Sequence, residues 1–477
     1  MERHPTQKMA AVGARGQAQP DGPLYVHHVA PLDPSRPAAA VRPVWPSAAA
    51  DGGASCGAAV NNFSKPWKND RFRFSRLGKR QNMTKKIILA MSTFLLTAGG
   101  YQLLQPIRTP PGLTAQHGVL LKDGQPYRGI GANYFSLFSR LIKDPDDTAS
   151  LTNLAALARA RIPFVRFMCT GFWPVDQQLY LTNRTEYFAR LDRVVRCAET
   201  NGIGLIPSLF WQLAMVPDIV GEPVNELGNP QSKTIAFIRR YTAEVVTRYK
   251  DSPAIWGWEF GNEYNLACDL PNPAQHRPMV ALRQGTPAYR TTHDELTFSA
   301  VGVAFAAFTE TVRRFDRTRF ITTGNAVPRP AAWHNLHEKT WKADTAAQFG
   351  EMLLRDNPDP FNTICIHLYP NQKHRYSGGT TNYQAAVALA QHYAQQADKP
   401  LFIGEFGVST DQLPAEQHRV MFAEMLEAIA REHVSLAAFW VFDLANQHDC
   451  TITFTNQRAW MLDLVQQANV KLQKENK

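Results

Sequence analysis

Short apolar runs alternate with longer amphipathic stretches throughout the chain after residue 109. The short runs are rich in β-branched and aromatic residues and mostly lack the apolar–polar alternation of a half-exposed strand, so they predict strands buried on both faces. These strands are Tyr127–Asn133, Phe164–Met168, Gly204–Phe210, Ile255–Phe260, Phe320–Thr323, Thr363–His367, Pro400–Glu405 and Ala437–Phe442. Apolar residues at helical spacing predict helices that include Leu151–Ala160, Tyr187–Thr200, Thr234–Lys250, Glu295–Phe315, Tyr383–Ala397 and Ala415–His433.

Eight buried strands that alternate with helices predict an α/β fold, a (β/α)8 TIM barrel formed by residues 109–477. No linker rich in Pro, Gly or Ser divides this region, and it contains no internal repeat. An open doubly wound sheet would give the same alternation, but no Gly-x-Gly-x-x-Gly follows the first strand. The pattern therefore favours the barrel.

A barrel also predicts where the chemistry should lie, because barrel enzymes carry their reactive residues at the carboxyl ends of the strands. Polar and aromatic residues are found at or just beyond the ends of the predicted strands. They are Asn133, Arg166, Trp211, Asn262, Glu263, His367, Tyr369, Glu405 and Trp440. Their distribution indicates an active site on this face.

Two of these residues are glutamates on the fourth and seventh strands, Glu263 in Asn262-Glu263 and Glu405 in Gly404-Glu405. Two opposed carboxyl groups about 5 Å apart suit retaining glycoside hydrolysis, in which one protonates the leaving oxygen and the other attacks the anomeric carbon. With these motifs the chain resembles glycoside hydrolase family 5, the cellulase and β-mannanase family. The resemblance extends from about Gly118 to Leu464.

The resemblance implies roles for four residues. Glu263 would be the general acid/base and Glu405 the nucleophile. Asn262 would hydrogen-bond the sugar 2-hydroxyl, a contact that strengthens in the transition state. Arg166 would hold the nucleophile ionised by its opposite charge. Glu259 lies deeper in the fourth strand, so we expect a barrel-core or supporting residue there.

The other matches concern substrate binding. His367 and Tyr369 match a His-x-Tyr motif of the family, with the histidine beside the acid/base and the tyrosine hydroxyl on the nucleophile. Trp440 matches a tryptophan that forms a flat apolar floor for the sugar ring. For Trp211, sugar stacking and plain packing both remain open, and Asn133 is a further candidate contact. The family's histidine after the third strand is missing from Pro207–Gln212, which weakens a cellulase assignment.

The formal net charge of +10 changes the expected partner once it is divided along the chain. Residues 1–108 hold 15 Lys and Arg against 5 Asp and Glu, whereas residues 109–477 hold 36 of each sign. A nucleic-acid protein needs its basic charge on the folded surface, so we expect no nucleic-acid partner. A neutral barrel fits a neutral polysaccharide or oligosaccharide better than an acidic glycan.

The excess charge lies in a leader. Residues 1–82 are low-complexity sequence, which predicts either a disordered segment or a mis-assigned start codon. From Met83, two lysines precede an apolar run over residues 87–98 and two glycines. This pattern over residues 83–100 predicts a signal peptide of a secreted or periplasmic protein, or an uncleaved signal anchor that ties the protein to a membrane.

The sequence gives little sign of disulfides, metal sites or cofactor sites. The six cysteines show no Cys-x-x-Cys spacing, so we expect mainly core residues and at most a pair or two of disulfides. Neither a metal-ligand spacing nor a phosphate-binding loop is present, so we expect no cofactor.

The sequence therefore predicts an exported, monomeric, retaining glycosidase that cuts a β-linked hexose polymer, mannan ahead of β-glucan. Two alternatives remain open. A non-catalytic carbohydrate-binding barrel would need stacking aromatics but not two opposed carboxylates. An exo-acting or transglycosylating enzyme would keep the same residues and differ in the closure of its cleft.

Overall fold

The computed structural model describes residues 111–409 and 414–475. The predictions for residues 1–82 and 83–100 lie outside this part of the chain. Among the described residues, no helix combines the length and the apolar character needed to cross a membrane.

The central element is an eight-stranded parallel sheet with helices around it. After a small antiparallel sheet of β1 (Leu113–Gln116), β2 (Val119–Lys122) and β3 (Gln125–Pro126), the barrel strands are β4 (Gly129–Asn133), β5 (Phe164–Met168), β6 (Gly204–Phe210), β7 (Gly257–Gly261), β8 (Phe320–Thr322), β9 (Ile364–His367), β10 (Leu401–Phe406) and β11 (Leu436–Phe439). They pair in the order β8-β7-β6-β5-β4-β11-β10-β9. Almost every strand residue is buried, as expected for a sheet covered on both faces. The predicted (β/α)8 barrel is confirmed.

The ring closes between β8 and β9 in a different way from the other strand pairs. Within the described chain no backbone ladder joins these two strands. Instead the Asn362 side-chain oxygen accepts from the amide of Ile321 (2.8 Å), and the Thr322 hydroxyl donates to the carbonyl of Thr363 (3.3 Å). We call this junction the β8/β9 seam.

The longer helices have an apolar face toward the barrel, and several begin at a polar capping residue. They are α1 (Leu137–Lys143), α2 (Ala149–Arg159), α3 (Gln178–Thr182), α4 (Arg184–Asn201), α5 (Met215–Val220), α6 (Lys233–Tyr249), α7 (Phe298–Phe315), α8 (Ala332–His337), α9 (Ala346–Asp356), α10 (Tyr383–Gln396), α11 (Ala415–Arg431) and α12 (Trp460–Glu475). Side chains of Asn183, Ser232, Thr297, Thr345 and Asn382 accept from backbone amides in the first turns of α4, α6, α7, α9 and α10. Such caps satisfy amide donors that have no partner inside the helix.

The amino-terminal end of the barrel is closed by the small antiparallel sheet. Leu113 donates its amide to the carbonyl of Trp256 (2.9 Å), and Leu113 and Leu120 pack inside the barrel against Phe164 and Phe320. The carboxyl end of the barrel therefore remains as the face on which the strand-end residues meet.

Cysteines make no disulfide among the described residues. Cys169, Cys197, Cys268, Cys365 and Cys450 are all free thiols. Burial raises the pKa of Cys169 to about 12, so this thiol stays protonated and unreactive at neutral pH. The packing role expected for it fits this environment.

Two buried carboxyl groups have pKa values shifted in opposite directions. Asp356 accepts from the side chain of Asn265 (2.7 Å), and burial raises its pKa to about 6. At the base of the barrel, Asp316 pairs with Arg319 (2.7 Å) and accepts from the indole of Trp258 (2.8 Å). Burial opposes the ionisation of Asp316, but the indole hydrogen bond and the arginine charge outweigh it and lower its pKa.

The directions of these two pKa shifts predict how the free energy of unfolding depends on pH. Because the folded pKa of Asp356 exceeds its ordinary value, the folded state binds this proton more tightly, and the stabilisation is lost as pH rises from about 4 to about 6. The loss should amount to about 3 kcal/mol. Asp356→Asn should remove it, so that the variant gains stability relative to wild type over this window in urea unfolding.

Asp316→Asn is the matched control. Since the pKa of Asp316 is lowered, its stabilisation is present at neutral pH and disappears as pH falls, so this variant should lose stability relative to wild type as pH rises. Parallel stability profiles for wild type and Asp356→Asn would contradict the assigned direction.

Candidate active site

The predicted strand-end residues converge on the carboxyl face of the barrel. Arg166 lies within β5 and Glu405 within β10, whereas Glu263 follows β7 by two residues. Strand alternation turns the Arg166 and Glu405 side chains into the barrel, where both are completely buried.

Arg166 is the centre of the hydrogen-bond network. Its Nη1 donates to Glu405 Oε1 and to Asn133 Oδ1, both at 2.9 Å, and its Nη2 donates to Asn262 Oδ1 (2.8 Å). Its Nε donates to both oxygens of Glu259, at 2.8 and 2.9 Å. A buried guanidinium requires this degree of compensation, because an unpaired charge in the interior is strongly destabilising.

Glu405 accepts hydrogen bonds on both of its oxygens. Arg166 donates to Oε1, and the Tyr369 hydroxyl donates to Oε2 (2.8 Å). Burial and the neighbouring charge of Glu405 raise the pKa of Tyr369 well above its usual range, so the tyrosine stays protonated and acts as a donor. Donors on both oxygens fix the orientation of the Glu405 side chain.

Glu263 is held by its backbone as well as by its side chain. Its φ of 54° lies in the left-handed region, and its amide donates to the carbonyl of Gly324 (2.9 Å). Its Oε1 lies 2.9 Å from Nδ1 of His367. A non-glycine residue in this region carries backbone strain, which surrounding contacts must hold in place.

The two glutamates are close enough to act on one bond. One carboxylate oxygen of Glu263, one of Glu405 and one ring nitrogen of His367 all lie within 4.8 Å of one another. This separation matches the spacing of about 5 Å for a retaining pair rather than the wider spacing that admits a water molecule. Among the residues that the structure describes, the same trio is the only cluster that could hold a metal ion, but the spacing serves a carboxylate pair equally well.

The two asparagines face different partners. Arg166 donates to the carbonyl oxygen of Asn262, so the NH2 group is the part of this side chain that can donate to another partner. Asn133 is completely buried and donates to the carbonyls of Gly404 (2.8 Å) and Ala438 (3.2 Å). Asn133 therefore supports Arg166 and β10 from within the barrel, and its substrate contact stays a prediction.

Aromatic side chains form the floor of the site. The Trp211 ring lies 4.3 Å from Cζ of Arg166 and 6.1 Å from the Trp440 ring, and Phe135 packs against Trp211. Trp440 is 5% exposed and donates its indole N–H to Gln447 (2.7 Å). The packing role left open for Trp211 is thus present, while sugar stacking on either ring stays a prediction.

Glu259 has a larger part in the site than the sequence indicated. It is completely buried and binds Arg166. Ser208 stands at the strand where the family histidine is missing, and its hydroxyl donates to the carbonyl of Gly261 (3.0 Å). A charged residue in a strand buried on both faces requires a partner, and Arg166 was the obvious complement in the sequence.

A long segment, residues 262–297, follows β7 and is held by side-chain contacts with other loops. Arg290 from this segment donates to both oxygens of Asp218 at 2.6 and 2.7 Å, and both side chains are buried. Arg329, from the segment after β8, donates to the carbonyl of Leu266 (2.9 Å). These contacts tie the segment after β7 to the loops that follow β6 and β8.

A closed parallel barrel with two neighbouring carboxyl groups at the carboxyl ends of its strands is typical of barrel enzymes that act on glycosidic bonds. The chain belongs to glycosyl hydrolase family 5: the sequence model described as Cellulase (glycosyl hydrolase family 5) matches residues 145–445. The resemblance noted in the sequence is thereby confirmed.

Similar proteins agree with this assignment. A probable mannan endo-1,4-beta-mannosidase A-1 of Aspergillus terreus is 26% identical over 266 residues, which cover 54% of this chain and 59% of that protein. The endo-1,4-beta-mannanase structure from Rhizomucor miehei aligns with a TM-score of 0.53 and 17% identity over 76% of this chain and 99% of that one. A Streptomyces cattleya GH5_18 structure in complex with GlcNAc gives a TM-score of 0.52 at 17% identity, over 74% and 82% of the two chains. The structural likenesses show the shared fold.

The packing around Gly324 leaves no space for a side chain at this position. Its φ is 73°, and a Cβ added there would lie 1.9 Å from the carbonyl oxygen of Gly261 and 2.8 Å from Cδ of Glu259. Gly324→Ala should therefore lower the free energy of unfolding by at least about 3 kcal/mol, measured by chemical denaturation.

Gly221 separates backbone strain from overlap. Its φ is 72°, but nothing lies within 4 Å of an added Cβ. Gly221→Ala should cost only about 1–2 kcal/mol, the penalty of a left-handed alanine. Equal losses for the two variants would show that overlap at Gly324 contributes nothing.

Proposed function

We propose that the protein is a retaining β-glycosidase with Glu405 as nucleophile and Glu263 as general acid/base. The observation that carries the proposal is the approach of their carboxylate oxygens to within 4.8 Å. The environments support the division of roles, since Glu405 receives donors from Arg166 and Tyr369. Glu263 is partly exposed toward the cleft, where a leaving group can reach it.

The reaction is a double displacement. Glu405 attacks the anomeric carbon while Glu263 transfers a proton to the departing oxygen, which forms a covalent glycosyl-enzyme. Glu263, now a carboxylate, then removes a proton from water as the water attacks the same carbon, and the bond from this carbon to Glu405 breaks to release the sugar and the Glu405 carboxylate. The NH2 group of Asn262 donates to the sugar 2-hydroxyl, and the Trp440 ring supports the sugar.

The proposed substrate is a β-linked neutral hexose polymer, with mannan ahead of β-glucan. The named mannosidase and mannanase relatives favour mannan. The chain spans only 59% of the Aspergillus relative, so activity on mannan is a proposal for this protein. Balanced charge over residues 109–477 supports an uncharged substrate.

Export of the enzyme is proposed from the sequence alone. It depends on the signal-like pattern of residues 83–100. A polymer too large to enter a cell has to be cut outside the cytoplasm, so the proposed substrate and the proposed location agree.

Removing the nucleophile provides the direct test. Glu405→Ala should lower kcat/KM on an activated aryl glycoside by at least about 10³-fold, since no covalent intermediate can form. Glu310→Ala, on the exposed face of α7, is the matched control and should keep the wild-type rate. Wild-type turnover by Glu405→Ala would exclude this residue as nucleophile, and binding without turnover by wild type would favour a binding barrel.

The acid/base role predicts chemical rescue. Glu263→Ala should slow hydrolysis of a poor leaving group by about 10²–10⁴-fold. Added azide should restore turnover of an activated aryl glycoside and yield a glycosyl azide of retained configuration. An inverted product would instead identify a single-displacement enzyme.

Product analysis tests the substrate. We expect oligosaccharides of several lengths from β-mannan, slower release from mixed-linkage glucan, and little from cellulose or β-1,3-glucan. Release of a single sugar size from chain ends would identify the exo-acting alternative, and longer products from oligosaccharides would identify transglycosylation.

A further inference from the structure

A third carboxylate lies behind the two proposed catalytic residues. Glu259 is in β7, and both of its oxygens accept from Nε of Arg166, at 2.8 and 2.9 Å. The same guanidinium donates from Nη1 to Glu405 (2.9 Å). One buried cation is therefore shared by two buried carboxylates.

The planar shape of the guanidinium makes this contact directional. Its donors leave at fixed angles, so holding Nε also fixes the directions of Nη1 and Nη2. In the position set by Glu259, Nη1 reaches Glu405 and Asn133, and Nη2 reaches Asn262. Glu259 thus determines which donors face the nucleophile and the asparagine.

The surroundings keep Glu259 in one place. A Cβ on Gly324 would lie 2.8 Å from its Cδ, so the glycine leaves the space that this carboxylate fills. Ser208 on the neighbouring strand β6 is the register partner of Glu259, so β6 covers one side of it. The contact of Glu259 with Arg166 therefore requires a residue without a side chain at position 324.

The charges of Arg166 and Glu405 shift the pKa of Glu259 in opposite directions. Burial raises the pKa of Glu259, the charge of Arg166 lowers it, and the charge of Glu405 raises it. Because both carboxylates interact with one cation, a charge on either weakens the stabilisation of the other. The titratable groups that face this pair from the surrounding elements are Arg166, Glu263, Cys365, His367 and Tyr369.

We propose that Glu259 is a positioning residue that orients Arg166 toward the nucleophile and limits how strongly the arginine stabilises the ionised Glu405. The proposal rests on the proposed function, because it requires Glu405 to be the nucleophile. A carboxylate that only supported the barrel would affect stability and leave the ionisation of the nucleophile unchanged.

Two variants separate charge from position. Glu259→Gln keeps the shape and removes the charge, so the acidic limb of the kcat/KM profile, which reports the free nucleophile, should move to lower pH by about one unit. Glu259→Asp keeps the charge but withdraws the carboxylate, so kcat should fall about 10-fold with KM and the acidic limb nearly unchanged. Both are measured on an aryl glycoside that wild type hydrolyses.

Asp316→Asn is the matched control, since it removes another buried carboxylate that pairs with an arginine, at the opposite end of the barrel. It should lower stability and leave the acidic limb in place. An unmoved limb in a folded Glu259→Gln variant would overturn the charge role, and an unchanged kcat in Glu259→Asp would overturn the positioning role. If Glu259→Gln does not fold, the aspartate variant alone decides the positioning role.

The same rate measurements separate a failure of the proposed role of Glu259 from a failure of the proposed glycosidase function. Inactive wild type, or an active Glu405→Ala variant, would reject the proposed function. Active wild type with an inactive Glu405→Ala and Glu259 variants identical to wild type would reject only the role of Glu259.

Discussion

The site depends on the burial of one positive charge. Arg166 is completely enclosed in the barrel, and a guanidinium in such a place is tolerated only when its donors are paired. Its partners come from β4, β7, β10 and the turn after β7, so one side chain links four parts of the ring. Rigid placement of Glu405, the proposed nucleophile, follows from this electrostatic requirement, because Glu405 cannot move without leaving the arginine undercompensated.

The two proposed catalytic carboxylates are held by different means. Glu405 lies within a strand and is fixed by buried donors. Glu263 lies beyond its strand in a left-handed backbone conformation and is fixed by the carbonyl of Gly324 and the ring of His367. A nucleophile benefits from a fixed attack direction, whereas an acid/base must exchange protons with a leaving group and then with water. The more exposed position of Glu263 suits the second task.

Much of the fold could be predicted because parallel strands buried on both faces leave a clear apolar signal. Phe164–Met168 and Gly204–Phe210 have the predicted bounds, and the remaining barrel strands differ at their ends by a few residues. Short or weakly amphipathic elements such as α1 and α3 depend on tertiary packing, which a local pattern does not contain. The strand-end rule and the family motifs brought the site residues together in the sequence. The sharing of Arg166 between two carboxylates depends on strand register, so it required the structure.

The β8/β9 seam has a consequence for how the protein opens. A junction without a backbone ladder lacks the cooperative pairing that joins the other strands, so sub-global opening of the ring should have its lowest free energy there. The two groups that hold Glu263 belong to opposite sides of this seam, Gly324 after β8 and His367 at the end of β9. Separation of the strands would release the acid/base while leaving Arg166 with its partners on β4, β7 and β10. Reversible loss of activity on warming would then precede global unfolding, with amide exchange rising first along these two strands.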